Sequence, residues 1–270
     1  MPEWPDLHVL RARLERALAG RRITGIRVGD PVVIRSTRSA EDVLFGRTFR
    51  SVTHRGKFLV FALDGVTMVV NPMLAGVFQL ARPDAKLTRD TRLALALDDG
   101  SELRYRDDVR MGKLYLLESA DPEAAVPGYA EVGPGADDLS GFAERARARG
   151  GEVRNLLMDQ RVIAGIGNAY ADEILWEAKL HPKHAVRSLD ASGMRALEDA
   201  IAKVIARGID EVEAGMPPEL GTKVRGHMRV RGREGRPCPR CESAIKRTRK
   251  GDDETYLCTA CQPPPAGMLR

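Results

Sequence analysis

Apolar residues recur along the chain in two rhythms, and the change between them divides it. Leu7, Leu10, Leu14 and Leu18 follow helical spacing, with Asp6 placed as an N-cap after Pro5 and Gly20 as the stop. From Arg22 to about Ser119 the rhythm shortens to strand-like runs: ITGIRV, VVIRS, TFRSVTHRGKFLVFAL, VTMVV, VFQLA, RLALAL, ELRYR and KLYLL. Asp64-Gly65 and Asp99-Gly100 fall between such runs and read as hairpin turns. One helix followed by many short strands predicts a β-sandwich or barrel-like domain over residues 1–119.

Residues 120–138 are rich in Ala, Pro, Gly and acids, lack periodicity and predict an interdomain linker. Beyond them FAERARARG, EVRNLLMDQRV, NAYADEILWEAKL and ASGMRALEDAIAKVIARGIDEVEAG carry helical patterns, which predicts a helical domain over 139–222. The remainder, 223–270, turns Gly/Arg-rich and then cysteine-bearing, and predicts a basic strand followed by a zinc finger. The expected fold class is thus α+β and multidomain, with no internal repeat, coiled coil or transmembrane pattern.

The chain of 270 residues is long enough for two domains, and 43% hydrophobic with 30% charged residues fits a soluble globular protein. Acidic Glu3 and Asp6, with no long apolar run beside them, exclude a signal peptide, so the cytosol or bacterial nucleoid is the expected location. A net charge of +5 suits a polyanionic partner without demanding one. Its distribution says more. Between Lys223 and Lys250 the chain carries eleven basic residues against two acids, Glu234 and Glu242. A solvated face would account for such a run, but it flanks a metal motif, which favours DNA.

That motif is Cys238-Pro-Arg-Cys241 and Cys258-Thr-Ala-Cys261, two CxxC knuckles separated by sixteen residues. Each knuckle can present two thiolates to one tetrahedral Zn²⁺, and the segment between them is the right size for a β-hairpin. Four sulfur ligands leave no open position for water, so one structural zinc is expected. A redox dithiol pair would need a βαβ context that is missing. Zinc ribbons bind DNA, RNA or protein, so the module alone does not choose.

Four separated segments resemble the formamidopyrimidine-DNA glycosylase and endonuclease VIII family. Met1-Pro2-Glu3-Trp4-Pro5-Asp6 resembles its MPEGPE or MPELPE start. His54-Arg55-Gly56-Lys57 is similar to its lysine-bearing strand. Gly165-Ile166-Gly167-Asn168-Ala169-Tyr170-Ala171-Asp172-Glu173-Ile174-Leu175 resembles its helix–two-turns–helix signature, and His181-Pro182 follows as expected. Gly232-Arg233 before the knuckles and Gln262 after them resemble its zinc finger. The resemblance spans nearly the whole chain and implies a bifunctional DNA glycosylase and abasic-site lyase. Its partner would be double-stranded DNA with a damaged base or abasic site, met by a monomer.

The chemistry has a physical basis beside the resemblance. A proline at position 2 is common and means little alone. Once Met1 is removed, however, Pro2 is a secondary α-amine, and α-amines ionise near pH 8, against about 10.4 for lysine. On attacking C1′ of a deoxyribose such an amine forms an iminium ion, an electron sink that permits β,δ-elimination of the 3′ and then the 5′ phosphate. Glu3 is the natural general acid/base partner, or else an ordinary exposed acid. By resemblance Lys57 contacts a phosphate beside the lesion, where a solvated hairpin lysine is the plainer reading. Asn168 follows a Gly-rich turn, and exposed N–H groups at that helix start would suit a phosphate oxygen.

Extruding a base requires filling the gap it leaves. By resemblance Leu74 takes the wedge position with Met73 beside it. Arg110 is retained in the next loop, Val109 stands where an arginine reads an opposite cytosine, and Met111 replaces a phenylalanine. Asp6 stands for the family's usual glutamate, and Gly215 to Gly232 leaves no room for a long base-covering loop. Asp253 stands where the finger's DNA-contacting arginine is expected, and an acid facing phosphate would be repulsive. Arg247, Arg249 or Lys250 would then take over, or the finger meets DNA differently. A lyase with narrow glycosylase activity and a non-catalytic DNA-binding zinc protein are the competing functions.

Overall fold

The computed structural model describes residues 1–118, 121–251 and 253–265, so the boundary expected at 119/120 and residues 266–270 lie outside the described residues. The chain forms two compact units: residues Met1–Pro2, Asp6–Glu131 and Val212–Val224, and residues Glu3–Pro5, Val132–Glu211 and Arg225 onward.

The first helix, α1 (Trp4–Leu18), buries Leu7, Leu14 and Leu18 completely. It begins earlier than expected. Pro5 lies inside its first turn, where a missing N–H costs nothing, so Asp6 is a first-turn acid and not the cap. Gly20, at φ +80, stops it in the left-handed region as expected.

Among the described residues nine strands follow in the first unit: β1 (Ile23–Val28), β2 (Ile34–Arg35), β3 (Phe49–Arg55), β4 (Phe58–Leu63), β5 (Val66–Asn71), β6 (Val77–Ala81), β7 (Thr91–Leu97), β8 (Glu102–Arg106) and β9 (Lys113–Glu118). They make two sheets, β1-β7-β8-β6 and β2-β9-β5-β4-β3, antiparallel except for β2 beside β9. Asp-Gly turns at Gly65 (φ +69) and Gly100 (φ +81) close the β4–β5 and β7–β8 hairpins. The sheets share an aromatic core, in which Phe78 of β6 lies 5.3 Å from Phe61 of β4 and 5.3 Å from Tyr105 of β8. Only two residues of VVIRS are strand. The preceding Pro31–Val33 is a 3-10 turn capped by Asp30, whose carboxylate accepts the Val32 N–H. Helix α2 (Ala40–Leu44), capped by Ser39, interrupts the expected all-strand run.

The segment expected as a linker is packed. It contains α3 (Pro122–Ala125) and buries Val126 and Tyr129 in the first unit, with the Tyr129 ring edge-on to Phe58 at 5.3 Å. The division between units falls inside it, between Glu131 and Val132.

The second unit contains α4 (Phe142–Arg149), α5 (Val153–Met158), α6 (Asn168–Glu177) and most of α7 (Ala191–Gly215). Trp4, Phe142, Leu157, Ile166, Ile174, Leu197 and Ile201 belong to its core. The ribbon hairpin pairs β10 (Lys246–Lys250) with β11 (Asp253–Leu257). The basic stretch expected as a strand is not one. Residues 223–245 form turns and coil apart from one bridge between Pro237 and Ala244, and Glu173 of α6, not a neighbouring strand, satisfies the N–H groups of Arg229, Val230 and Arg231. No helix among the described residues is long and apolar enough to cross a membrane.

Candidate functional site

The residue after Pro2 is fixed with unusual completeness. Glu3 is 4% exposed, and its carboxylate accepts the N–H groups of Gly167 (2.7 Å), Ala169 (3.0 Å) and Tyr170 (3.0 Å) at the start of α6. A negative side chain here meets the positive end of the helix dipole and satisfies donors that no helix can satisfy itself. Trp4 adds its own N–H to the Gly165 carbonyl at 2.8 Å. The glycines of Gly165-Ile166-Gly167 make room for this segment. A Cβ on Gly167 would lie 2.8 Å from the Glu3 Cδ, and one on Gly165 (φ +91) 2.5 Å from the Trp4 ring. Sequence reasoning expected these N–H groups to be exposed and open to a phosphate. They are buried, and Glu3 has taken them.

Pro2 is buried in the first unit and lines a concavity with Asp6, Gly76, Val77, Thr222 and Lys223. The Lys223 ammonium donates to the Leu74 carbonyl. Lys57 stands, half-buried, on the β3–β4 turn as expected.

Two loops of this unit converge on one buried hydroxyl. Gly76 and Gly112 approach so closely that a Cβ would fall 2.2 Å and 1.7 Å from the Tyr105 oxygen. Burial, with the Asp107 charge beside it, pushes the Tyr105 phenol well above its ordinary range. Around that point Met73 (φ +49) is half-buried, whereas Leu74 is 52% exposed. In the neighbouring loop Asp107 accepts the N–H groups of Val109, Arg110 and Gly112. This turns Val109 and Met111 outward, while Arg110 (φ +62) pairs with Asp30 at 3.3 Å. The pair of loops therefore displays apolar side chains.

Asn168 begins α6, and its Oδ1 accepts from Arg154 of α5 at 3.2 Å. Arg154, whose side chain is 5% exposed, also binds Asp253 through both Nη atoms, at 2.6 Å and 3.0 Å. The acid at the finger position thus faces an arginine of its own chain. Asp172, fully buried on α6, accepts from Arg231 (2.9 Å) and from the Tyr256 N–H (3.1 Å) and approaches Arg154. Burial pushes its carboxyl up to about 7, against the lowering pull of Arg154 and Arg231.

Several residues of the basic run are engaged within the protein itself. Arg231 turns inward to Asp172, and Arg240 stacks on Trp176 with its guanidinium 4.0 Å from the ring centroid. Arg247 pairs with Glu234 at 2.9 Å and Glu254 at 3.3 Å. Arg249 is exposed and donates to the Gly251 carbonyl. Sequence reasoning missed Arg154, Asp172, Glu173 and Tyr105. Their one visible signal was charge or hydroxyl at positions whose spacing marks a core face.

Cys238, Cys241, Cys258 and Cys261 bring their four sulfurs within 4.8 Å of one another, and no disulfide joins them. Neighbouring sulfurs lie 3.4 Å to 3.9 Å apart. Tetrahedral Zn²⁺ with Zn–S near 2.3 Å requires sulfurs roughly 3.8 Å apart, so the cluster fits the ion. The Trp176 indole N–H donates to the Cys238 sulfur at 3.4 Å, and buried Gln262 bonds the Cys258 N–H and the Leu180 carbonyl. These contacts join the knuckles to α6 and the loop after it.

Comparison with known proteins agrees with this geometry. Residues 1–114 match the formamidopyrimidine-DNA glycosylase N-terminal domain, 134–217 its H2TH domain, and 235–264 the zinc finger found in FPG and IleRS. The formamidopyrimidine-DNA glycosylase of Desulforamulus reducens is 33% identical, covering 97% of this chain and 99% of its own; that of Herpetosiphon aurantiacus is 32% identical, covering 97% and 100%. The Lactococcus lactis Fpg, solved in complex with abasic-site-containing DNA, superposes with a TM-score of 0.87 at 26% identity over 97% of this chain and 100% of that one. A two-sheet domain, a helix–two-turns–helix segment and a four-cysteine ribbon in this order define one architectural class. The chain belongs to the formamidopyrimidine-DNA glycosylase family, and its cysteine cluster holds one structural zinc.

Proposed function

We propose that this chain excises damaged bases from double-stranded DNA and cleaves the resulting abasic site, with Pro2 as the nucleophile. Membership of the family makes it a DNA glycosylase with abasic-site lyase activity in base excision repair. The observation that carries the assignment to Pro2 is the immobilisation of its neighbour: the three N–H groups on Glu3 fix the chain one residue from the amine.

With Met1 removed, the Pro2 nitrogen attacks C1′ and the base leaves with the bonding pair, protonated as it departs. The Pro2 nitrogen then gives up its N–H proton, a proton is delivered to the ring oxygen, and the nitrogen lone pair opens the C1′–O4′ bond to leave an iminium ion between Pro2 and the sugar. Loss of a C2′ proton then expels the 3′ phosphate, and a second elimination expels the 5′ phosphate. Glu3, one residue from the amine, is the group that moves these protons. Lys57 and Asn168 hold phosphates, Leu74 and Met73 fill the vacated stack with Met111 beside them, and Arg110, Arg247 and Arg249 add positive charge along the duplex. Expected partners are duplexes containing a damaged base or an abasic site, met by a monomer in the bacterial cytoplasm at the nucleoid. The Lactococcus relative, solved with such DNA, supports the partner.

Borohydride trapping on abasic DNA tests the nucleophile. Mature wild-type protein should give a covalent adduct, and Pro2→Gly and Glu3→Gln should give far less. No adduct from protein whose N-terminus is shown to be Pro2 would sink the mechanism.

A further inference from the structure

The bidentate pair of Arg154 and Asp253 has a use in the reaction that neither residue type announces. We propose that Arg154, held by Asp253, is a positioning residue that fixes which way the Asn168 amide faces, turning its NH2 toward a DNA phosphate. The inference rests on the reading of Asn168 as a phosphate contact.

An amide can rotate by half a turn at little cost and exchange its donor for its acceptor. A guanidinium can only donate, so the Asn168 atom facing Arg154 is the oxygen, and the NH2 points the other way. Arg154 is itself over-determined: Asp253 takes both Nη atoms, the Glu254 carbonyl accepts from Nη2, and Asp172 lies at 3.5 Å from Nε. Arg154 and Arg231 stand against Asp172 and Asp253 within one cluster. The Arg154 guanidinium is thus engaged within the protein and acts through orientation. Without the Asp253 charge the guanidinium loses a bidentate partner. The amide is then released to present its oxygen to phosphate.

The sign of one substitution decides between this role and simple repulsion. Full-length zinc-loaded protein is titrated with a duplex carrying a tetrahydrofuran abasic analogue, followed by fluorescence anisotropy at several salt concentrations. Asp253→Asn removes an acid from a DNA-binding unit, so repulsion alone predicts tighter binding. Positioning predicts binding weakened about tenfold, the loss of one hydrogen bond to a charged group. It also predicts an unchanged dependence on salt, since no phosphate counter-charge is lost. Asp253→Glu, which keeps the charge, should recover most of the affinity, and Asn168→Ala combined with Asp253→Asn should bind no more weakly than Asn168→Ala alone. Asp253 is half-exposed, so these variants should keep the fold, which zinc content confirms. Wild-type or tighter binding by Asp253→Asn, or additive losses in the double variant, overturns the proposal while leaving Asn168 as a phosphate contact. Wild-type binding by Asn168→Ala overturns that underlying reading and this inference with it.

Discussion

Gly167→Ala would test how closely the chemistry depends on the seat of Glu3. The backbone of Gly167 (φ −133, ψ −162) is extended and open to any residue, so alanine meets no conformational strain there. Its Cβ would nevertheless stand 2.8 Å from the Glu3 Cδ and 3.0 Å from Oε1, about 0.6 Å inside ordinary van der Waals contact for the carbon pair. Overpacking of this kind costs about 1–3 kcal/mol, and loss of glycine's freedom in the unfolded chain offsets about 0.4–1 kcal/mol of that. The net loss, of the order of 1–2 kcal/mol, leaves the protein folded. Glu3 must retreat by a few tenths of an ångström, and Pro2 is its covalent neighbour. Misplacement of about 1 Å can cost roughly a hundredfold in rate, so single-turnover cleavage of abasic DNA should fall by about 10- to 100-fold. Thermal unfolding and zinc content check the fold, and trapping yield checks the amine. Gly167→Ala cleaving at the wild-type rate with full zinc would refute the claim that the Glu3 seat governs the nucleophile.

Other expectations follow from the same geometry. Leu74→Ala should leave stability within about 0.5 kcal/mol, because the side chain is 52% exposed, yet slow release of a paired damaged base more than cleavage at an abasic site; equal slowing of both would remove Leu74 as the wedge. Val109 and Met111 offer an opposite base no hydrogen bond, so excision rates opposite the four bases should span less than about tenfold, whereas one good bidentate contact discriminates by about 1–3 kcal/mol. A thiol reagent that strips zinc should change Trp176 fluorescence as DNA affinity is lost, since the indole N–H rests on the Cys238 sulfur; affinity retained without metal would contradict the structural role. Arg161 first and then Arg149 hold the Asp159 carboxyl well below its ordinary value. A depressed folded value means stability present above about pH 3.8 and lost as pH falls toward the folded value. Asp159→Asn should therefore lower the melting temperature at pH 6 and flatten its decline in acid.

Local patterns carried much of this molecule. Period-two runs with Asp-Gly turns located the strands because a half-buried sheet repeats every two residues and tight hairpins need positive φ. The four cysteines were legible because zinc requires a fixed spacing. Helix α2 was missed although Ser39-Ala40-Glu41-Asp42 carries the capping pattern, since five residues cannot establish a helical period. The partners of Glu3, Asp253 and Arg231 were illegible for another reason. Each is completed by contacts between residues roughly sixty to a hundred and sixty positions apart, and an arginine bound to a carboxylate within the protein looks, in sequence, like one waiting for phosphate.

The burial of Glu3 and Trp4 also sets a condition on how the protein is made. Residues 3 and 4 are pinned, and Pro2 is joined directly to them. A preparation carrying an amino-terminal tag, or retaining its initiator methionine, should fold and load zinc normally yet hold an amide where the proposed mechanism needs an amine. Specific activity should then equal the processed fraction, measured as the mass difference of one methionine in the intact protein. Comparisons between preparations that ignore this would mistake incomplete maturation for weak catalysis.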